Sequence, residues 1–117
     1  MSSLSTSLKE VRAMVAVQSP HVVRYYNSWT HDDKVYLQME LCDGSVDAML
    51  PSPSSPGAAR VPERTVCRVL RDMLRALQAC HDAGVAHLDV KPHNIMHVGG
   101  VFKLGDFGRA ATLAEAC

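Results

Sequence analysis

Residues 87–108 read HLDVKPHNIMHVGGVFKLGDFG. Two short apolar and β-branched runs in this stretch flank Gly99 and Gly100, a pair suited to the positive φ angles of a two-residue hairpin turn. The two strands of a hairpin share an open end, so Asn94, which precedes the first run, and Asp106, which follows the second, should meet there. The sequence therefore predicts a hairpin that presents an amide and a carboxylate side by side.

The polar groups around this open end have a chemistry of their own. Amide and carboxylate oxygens are ligands that Mg²⁺ accepts, with water and phosphate oxygens completing the octahedron. Asp89 could accept the proton of an attacking hydroxyl, while the ammonium of Lys91 neutralises charge on a transferred phosphoryl group. A role as turn formers alone would leave the joint spacing of these residues unexplained.

The pattern H-x-D-x-K-P-x-N followed by D-F-G resembles the catalytic loop and metal-binding motif of eukaryotic protein kinases. The resemblance implies that Asp89 is the catalytic base and that Lys91 contacts the γ-phosphate. It also implies that Asn94 and Asp106 hold Mg²⁺. ATP would be the cofactor, a protein would be the substrate, and Lys91 places the chain in the serine/threonine lineage.

Upstream residues follow the order of the same family. Glu10 stands where the C-helix glutamate pairs with the ATP-binding lysine, although it also fits a capping box with the serine three residues before it. Met39 resembles the gatekeeper, and Glu40 and Cys42 belong to the hinge that holds adenine. Met96 would lie under the adenine ring.

The N-terminal part predicts one helix and one hairpin. Leu8, Val11 and Val15 recur at helical spacing in a segment of about three turns. The runs 22–26 and 35–39 are β-branched and aromatic, and a polar stretch joins them. They predict an antiparallel hairpin that leads into the hinge.

The strongest helical signal begins after Pro62 and ends before Gly84. Arginines lie on several faces of this helix, but acidic residues interrupt them and no aromatic residue is near, so a solvated face is expected rather than a nucleic-acid site. The apolar stripe expected to be buried comprises Val66, Val69, Leu70, Met73, Leu74 and Leu77.

These elements predict an α+β chain that forms part of a two-lobed protein-kinase fold. Residues 1–39 would be a remnant of the small lobe, 40–44 the hinge, and 45–117 the start of the helical large lobe. A flexible insertion is predicted at 51–60, where proline, serine and glycine dominate.

Within the family, residues 22–29 and the string HLDVKP look most like the Wee and Myt kinases, which inhibit cyclin-dependent kinases. The kinases of translation initiation factor two are the second resemblance. Leu88 replaces the arginine that receives an activation-loop phosphate in many kinases. The resemblance to Wee and Myt kinases implies a cyclin-dependent kinase as a partner. The type of acceptor residue stays open, because Lys91 indicates the serine/threonine lineage whereas Wee enzymes phosphorylate tyrosine.

Composition limits the remaining classes. Twelve basic residues balance twelve acidic ones, so no overall charge favours nucleic acid. The four cysteines show no C-x-x-C spacing, and neither a secretory leader nor a membrane segment is evident. We expect an intracellular location, cytoplasmic or nuclear.

The length of 117 residues covers less than half of the family's catalytic core. The nine residues ahead of Glu10 hold neither a Gly-rich loop nor the third-strand lysine, and no A-P-E motif follows Gly108. We therefore expect the isolated polypeptide to lack kinase activity. The alternative is an inactive truncated kinase or pseudokinase that serves as a protein-interaction module.

Overall fold

The computed structural model describes residues 2–6, 8–51 and 60–116. The predicted insertion at 51–60 therefore falls almost entirely outside the described residues. In chain order the described elements are β1 (Ser2–Thr6), α1 (Leu8–Ala16), β2 (Tyr25–His31), β3 (Lys34–Met39), β4 (Gly44–Ser45), α2 (Val46–Met49), α3 (Glu63–Asp82), β5 (Val85–Ala86), a 3₁₀ turn (Pro92–Asn94), β6 (Ile95–Val98), β7 (Val101–Leu104), β8 (Ala111–Thr112) and α4 (Leu113–Ala116).

The first sheet is antiparallel, with β3 between β1 and β2. The predicted hairpin forms, but its first strand begins at Tyr25 rather than at residue 22 and extends to His31. A two-residue turn closes it, with Asp32 and Asp33 at φ angles of 50° and 63°. Val22 is instead a buried core residue that bridges to Leu104, so its apolar character reflects burial between the two parts of the fold.

The β6–β7 hairpin matches the sequence prediction. Gly99 and Gly100 adopt φ angles of 56° and 83°, which allow the tight turn. Ile95 pairs with Leu104 at the open end. The short strand β4 adds to the other edge of β6, which places the end of the predicted hinge segment beside this hairpin.

The helix α1 packs on the first sheet through a face that differs from the predicted one. Val11 is buried as expected, together with Ala13 and Met14. Leu8 and Val15, expected to be buried, are 57% and 45% exposed. Periodicity predicted the position of the helix correctly. The face that it predicted to be buried, with Leu8 and Val15, is rotated from the face that is buried, with Ala13 and Met14.

The helix α3 has the predicted extent, and Gly84 follows it with a φ of 76°. Its buried face differs from the predicted stripe, because the side that meets β7 includes a carboxylate. Asp72 is 1% exposed and accepts a hydrogen bond from the Phe102 N–H at 3.0 Å. Along this helix the buried residues are Asp72, Met73, Ala76 and Cys80, whereas Val66, Leu70 and Leu74 are 43%, 59% and 69% exposed.

One hydrophobic core joins α1 and the first sheet to α3 and the β6–β7 hairpin. Met14 from α1, Leu37 from β3 and Leu104 from β7 are at most 2% exposed and belong to the same buried cluster as Phe107. The strands β5 and β8 pair beside it and bring the segment after Phe107 back to the end of α3. None of the helices in the described ranges has the length and apolar composition needed to cross a bilayer.

Candidate functional site

The open end of the β6–β7 hairpin brings Asn94 and Asp106 together, as the sequence predicts. The N–H of Gly105 donates to the backbone carbonyl of Asn94 at 2.8 Å, so Asp106 follows immediately on the opposite strand. The Gly108 N–H donates to Asp106 Oδ1 at 3.1 Å, which closes the turn after this aspartate. Asp106 adopts a φ of 51°, a left-handed conformation that is uncommon for residues other than glycine.

Asp89 is fixed to the same centre by Asn94. The Asn94 Nδ2 donates to the backbone carbonyl of Asp89 at 2.8 Å and to its Oδ2 at 3.1 Å. The Lys91 Nζ lies 3.7 Å from Asp89 Oδ1, and its side chain is 51% exposed, so it can swing toward a bound anion. Asp89 therefore contacts both Lys91 and Asn94, and Asp106 directly follows the glycine whose N–H bonds to Asn94.

His87 holds the loop that carries Asp89. Its Nε2–H donates to the carbonyl of Gly105 at 2.8 Å, which leaves Nδ1 to accept the Asp89 N–H at 3.2 Å. The imidazole also meets the ring of Phe107 edge-on, with centroids 4.8 Å apart. Leu88, between these contacts, has a φ of 66°, and the buried histidine maintains this strained backbone.

The oxygen donors of Asn94 and Asp106 fit a magnesium ion whose coordination would be completed by nucleotide phosphates and water. With Nδ2 of Asn94 turned to Asp89, its Oδ1 remains as an oxygen donor, and Asp106 supplies a carboxylate. The described ranges contain no group of three or more His, Cys, Asp or Glu side chains that could hold a metal. The carboxylate of Asp106 and the amide oxygen of Asn94 would be the protein ligands, and phosphate and water would fill the other positions.

Glu10 lies on α1 beside the turn that follows Asp106. A Cβ atom at Gly108 would stand 3.1 Å from Asp106 Oδ1 and 3.9 Å from Glu10 Oε2, so the two carboxylates flank this glycine. Burial raises the pKa of Glu10, and the nearby charge of Asp106 raises it further. The helix thus contributes an acidic group next to the proposed metal site.

The predicted hinge runs along the edge of the β6–β7 hairpin. Met39 ends β3 and packs partly against the core, and Glu40 follows it. Cys42 Sγ lies 3.8 Å from the carbonyl oxygen of Glu40, to which its S–H donates. Met96 pairs with Ser45 in β4, and a Cβ at Gly105 would contact its Cγ at 3.6 Å. The methionine therefore lies between β4 and the residue before Asp106.

Two contacts near the site were absent from the sequence prediction. Lys103 Nζ donates to both carboxylate oxygens of Glu40, each at 2.9 Å. His93 Nε2 lies 3.1 Å from Asp47 Oδ2, which joins the predicted catalytic loop to α2. Lys103 could have been singled out, since it is the one charged residue in the run Val101–Leu104.

Comparison with known proteins identifies the family of the chain. Residues 1–116 match the family model described as the protein kinase domain. The chain belongs to the protein kinase family. Its α+β architecture, with a small antiparallel sheet followed by a helical part, is a portion of the kinase fold.

Several relatives of this protein kinase chain carry Wee1 names. The chain is 44% identical to a Wee1-like protein kinase of Arabidopsis thaliana over 94% of its own length and 21% of that protein. It is 38% identical to a Wee1-like protein kinase of Oryza sativa over 93% of its length and 20% of that protein. It is 36% identical to the mitosis inhibitor protein kinase wee1 of Schizosaccharomyces pombe over 89% of its length and 12% of that protein. The chain thus spans about a fifth or less of these relatives.

Proposed function

We propose that the chain supplies the catalytic base and metal ligands of a protein kinase that transfers the γ-phosphoryl group of Mg-ATP to a protein hydroxyl. One observation carries the proposal: Asp89, Asn94 and Asp106 converge at the open end of the β6–β7 hairpin. Two hydrogen bonds from Asn94 Nδ2 to Asp89 and one from the Gly105 N–H to Asn94 fix them there. Phosphoryl transfer depends on such positioning more than on covalent chemistry by the protein.

Each residue has a definite role in this proposal. Asp89 accepts the proton of the attacking hydroxyl, and Lys91 moves from Asp89 to the transferred phosphoryl group. Asn94 and Asp106 would hold Mg²⁺, which would neutralise charge on the phosphate oxygens. The adenine would rest along the hinge backbone at 40–42, with the side chains of Met39 and Met96 beside it.

Nucleotide binding by the 117-residue chain is the first test. We would titrate the chain with ATP that carries an N-methylanthraniloyl fluorophore, with and without Mg²⁺. The Asp106→Ala variant should lose the Mg²⁺-dependent part of the affinity. Asp82→Ala, which removes an exposed aspartate at the end of α3, should retain it. No nucleotide binding by the unmodified chain would refute the site.

The substrate is a finer proposal. Relatives named Wee1-like kinases and a mitosis inhibitor kinase favour a cyclin-dependent kinase as the acceptor protein. The test uses the complete gene product, a catalytically inactive cyclin-dependent kinase as substrate, and mass spectrometry to locate any phosphate. Asp89→Asn is the control, because it preserves shape but removes the base. Phosphate on other proteins and none on this substrate would reject the assignment.

A further inference from the structure

A well-shielded ion pair joins Glu40 and Lys103, outside the centre formed by Asp89, Asn94 and Asp106. Lys103 Nζ donates to both Glu40 oxygens at 2.9 Å, and the two side chains are only 17% and 15% exposed. Glu40 Oε1 also accepts the Arg24 N–H at 3.1 Å, while the Glu40 N–H donates to the Arg24 carbonyl at 2.8 Å. The carboxylate is therefore fixed from two elements.

This pair differs from an ordinary surface salt bridge. Exposed pairs contribute about 0–1 kcal/mol because solvent screens them and both side chains lose freedom. Here the carboxylate accepts three hydrogen bonds and is mostly shielded, so loss of the lysine would leave a poorly solvated charge. Burial alone would raise the pKa of Glu40. The hydrogen bonds from Lys103 and from the Arg24 N–H, together with the positive charges of these two residues, outweigh burial, so the pKa of Glu40 is lowered.

The pair also joins two ends of the proposed nucleotide site. Glu40 follows directly on Met39 in the hinge, where adenine would bind. Lys103 pairs across the hairpin with Met96 and lies three residues before Asp106 in the sequence. One nucleotide must contact the hinge and the metal ligands together, so the separation of these two regions governs whether both can be engaged.

A cavity borders the ion pair of Glu40 and Lys103 on one side. A cavity of about 460 Å³ lies between the segment after α1, the start of β2 and β7, and Glu40 and Lys103 form part of its wall. Arg24 and Tyr26 also line this cavity, with the guanidinium carbon 5.4 Å from the ring centroid. Packing therefore holds the Glu40 side chain on one side only, and hydrogen bonds from Lys103 and from the Arg24 N–H fix its carboxylate.

We propose that Lys103 is a positioning residue that fixes the hinge at Glu40 relative to Asn94 and Asp106, so that adenine contacts and Mg²⁺-phosphate contacts form together. The inference rests on the proposed function. Lys103 touches no reacting atom. Its loss should uncouple the two ends of the site more than it weakens either end alone.

The test measures that coupling in the 117-residue chain. For each variant we would determine the dissociation constants of adenosine, which reaches only the hinge, and of fluorescent ATP with and without Mg²⁺. Lys103→Met should keep the adenosine affinity within about twofold but reduce the Mg²⁺-dependent gain for ATP by about five- to tenfold, within the range of typical coupling energies. Lys103→Arg should retain the gain, since a guanidinium can donate twice to a carboxylate. Lys34→Met, at an exposed position in β3, is the matched control.

The outcomes separate the two proposals. An unchanged Mg²⁺-dependent gain in Lys103→Met overturns the positioning role, and so does an equal loss for adenosine and for Mg-ATP that Lys103→Arg does not restore. If the unmodified chain binds no nucleotide, the proposed function fails. In that case amide hydrogen exchange tests whether Lys103 fixes the hinge segment. Lys103→Met must accelerate exchange at 40–44 relative to Lys34→Met, and equal exchange rates in the two variants reject the positioning role.

Discussion

The Asn94 side-chain amide donates to the carbonyl of Asp89 at 2.8 Å and to its carboxylate at 3.1 Å. This double contact makes the proposed metal ligand also the support of the proposed base. Because the amide nitrogen is occupied, the amide oxygen is the atom left for a cation. Any change at this position should therefore affect the metal and the base together.

We predict that Asn94→Ala lowers the Mg²⁺-dependent affinity for ATP by about tenfold or more, as expected when a ligand or its support is removed. Asn94→Asp should be no better, since it keeps an oxygen ligand but places a second carboxylate against Asp89 in place of the donor. Fluorescent-nucleotide titrations at several Mg²⁺ concentrations measure both effects. Mg²⁺-dependent affinity at the unmodified level in both variants would contradict the assignment of Asn94.

The three cysteines in the described ranges should differ in reactivity toward iodoacetamide. Burial raises the pKa of Cys42, and the Glu40 charge raises it further, whereas burial raises the pKa of Cys80 to about 11. Because the thiolate is the reactive form, exposed Cys67 should be labelled first at pH 7.5, Cys42 more slowly, and Cys80 only on unfolding. Peptide mass spectrometry gives the three rates.

Two additions to this labelling experiment probe the hinge. Glu40→Gln removes a negative charge beside Cys42, so the Cys42 thiol should be labelled faster at the same pH while Cys67 is unaffected. Mg-ATP should slow the labelling of Cys42 alone if adenine rests on the hinge. Labelling of Cys42 as fast as that of Cys67, with no effect of the Glu40 substitution, would contradict this electrostatic environment.

A third prediction concerns the buried carboxylate of Asp72. It accepts the Phe102 N–H at 3.0 Å, and His21 Nδ1 lies 3.6 Å from it, so it joins α3 to β7 and to the segment before β2. Asp72→Ala leaves the Phe102 N–H without its acceptor, and the free energy of unfolding in urea should fall by about 1–3 kcal/mol. Asp72→Asn keeps an acceptor oxygen and should lose less.

The control for this change lies on the same helix. Asp82 is exposed and accepts a hydrogen bond only from Gln78 among the described contacts, at 2.8 Å. Asp82→Ala should therefore alter the free energy of unfolding by less than about 0.5 kcal/mol. Equal losses for Asp72→Ala and Asp82→Ala would show that the buried hydrogen bond does not stabilise the junction.

Sequence alone predicts the proposed site because its geometry is local. The Gly99-Gly100 turn fixes the register of β6 and β7, and this register places Asn94 and Asp106 together without information from the rest of the chain. The tie between Glu40 and Lys103 could not be predicted in this way, since 63 positions separate the partners. Only the tertiary fold brings them into contact.

The faces of the helices were harder to predict for a related reason. An apolar stripe shows that a helix has a side to bury but does not show which part of that side meets a neighbour. In α3 the contact with β7 includes Asp72, a residue that a polar pattern assigns to solvent, and this rotates the buried face away from Leu70 and Leu74. The strand β1 is serine-rich and forms through its pairing with β3, not through propensity.

The fourth prediction follows from that rotated face. Leu70 and Leu74 lie one turn apart on α3 and are 59% and 69% exposed, and Val66 extends the patch. Because burial of a leucine side chain contributes about 1.5–3 kcal/mol, we expect the isolated chain to self-associate through this patch. The double substitution Leu70→Gln and Leu74→Gln should shift sedimentation velocity profiles toward the monomer and leave the melting temperature almost unchanged.

Leu77→Gln is the matched control, because Leu77 packs against the core and its loss should lower the melting temperature. Unchanged association of the double variant would show that another surface drives it.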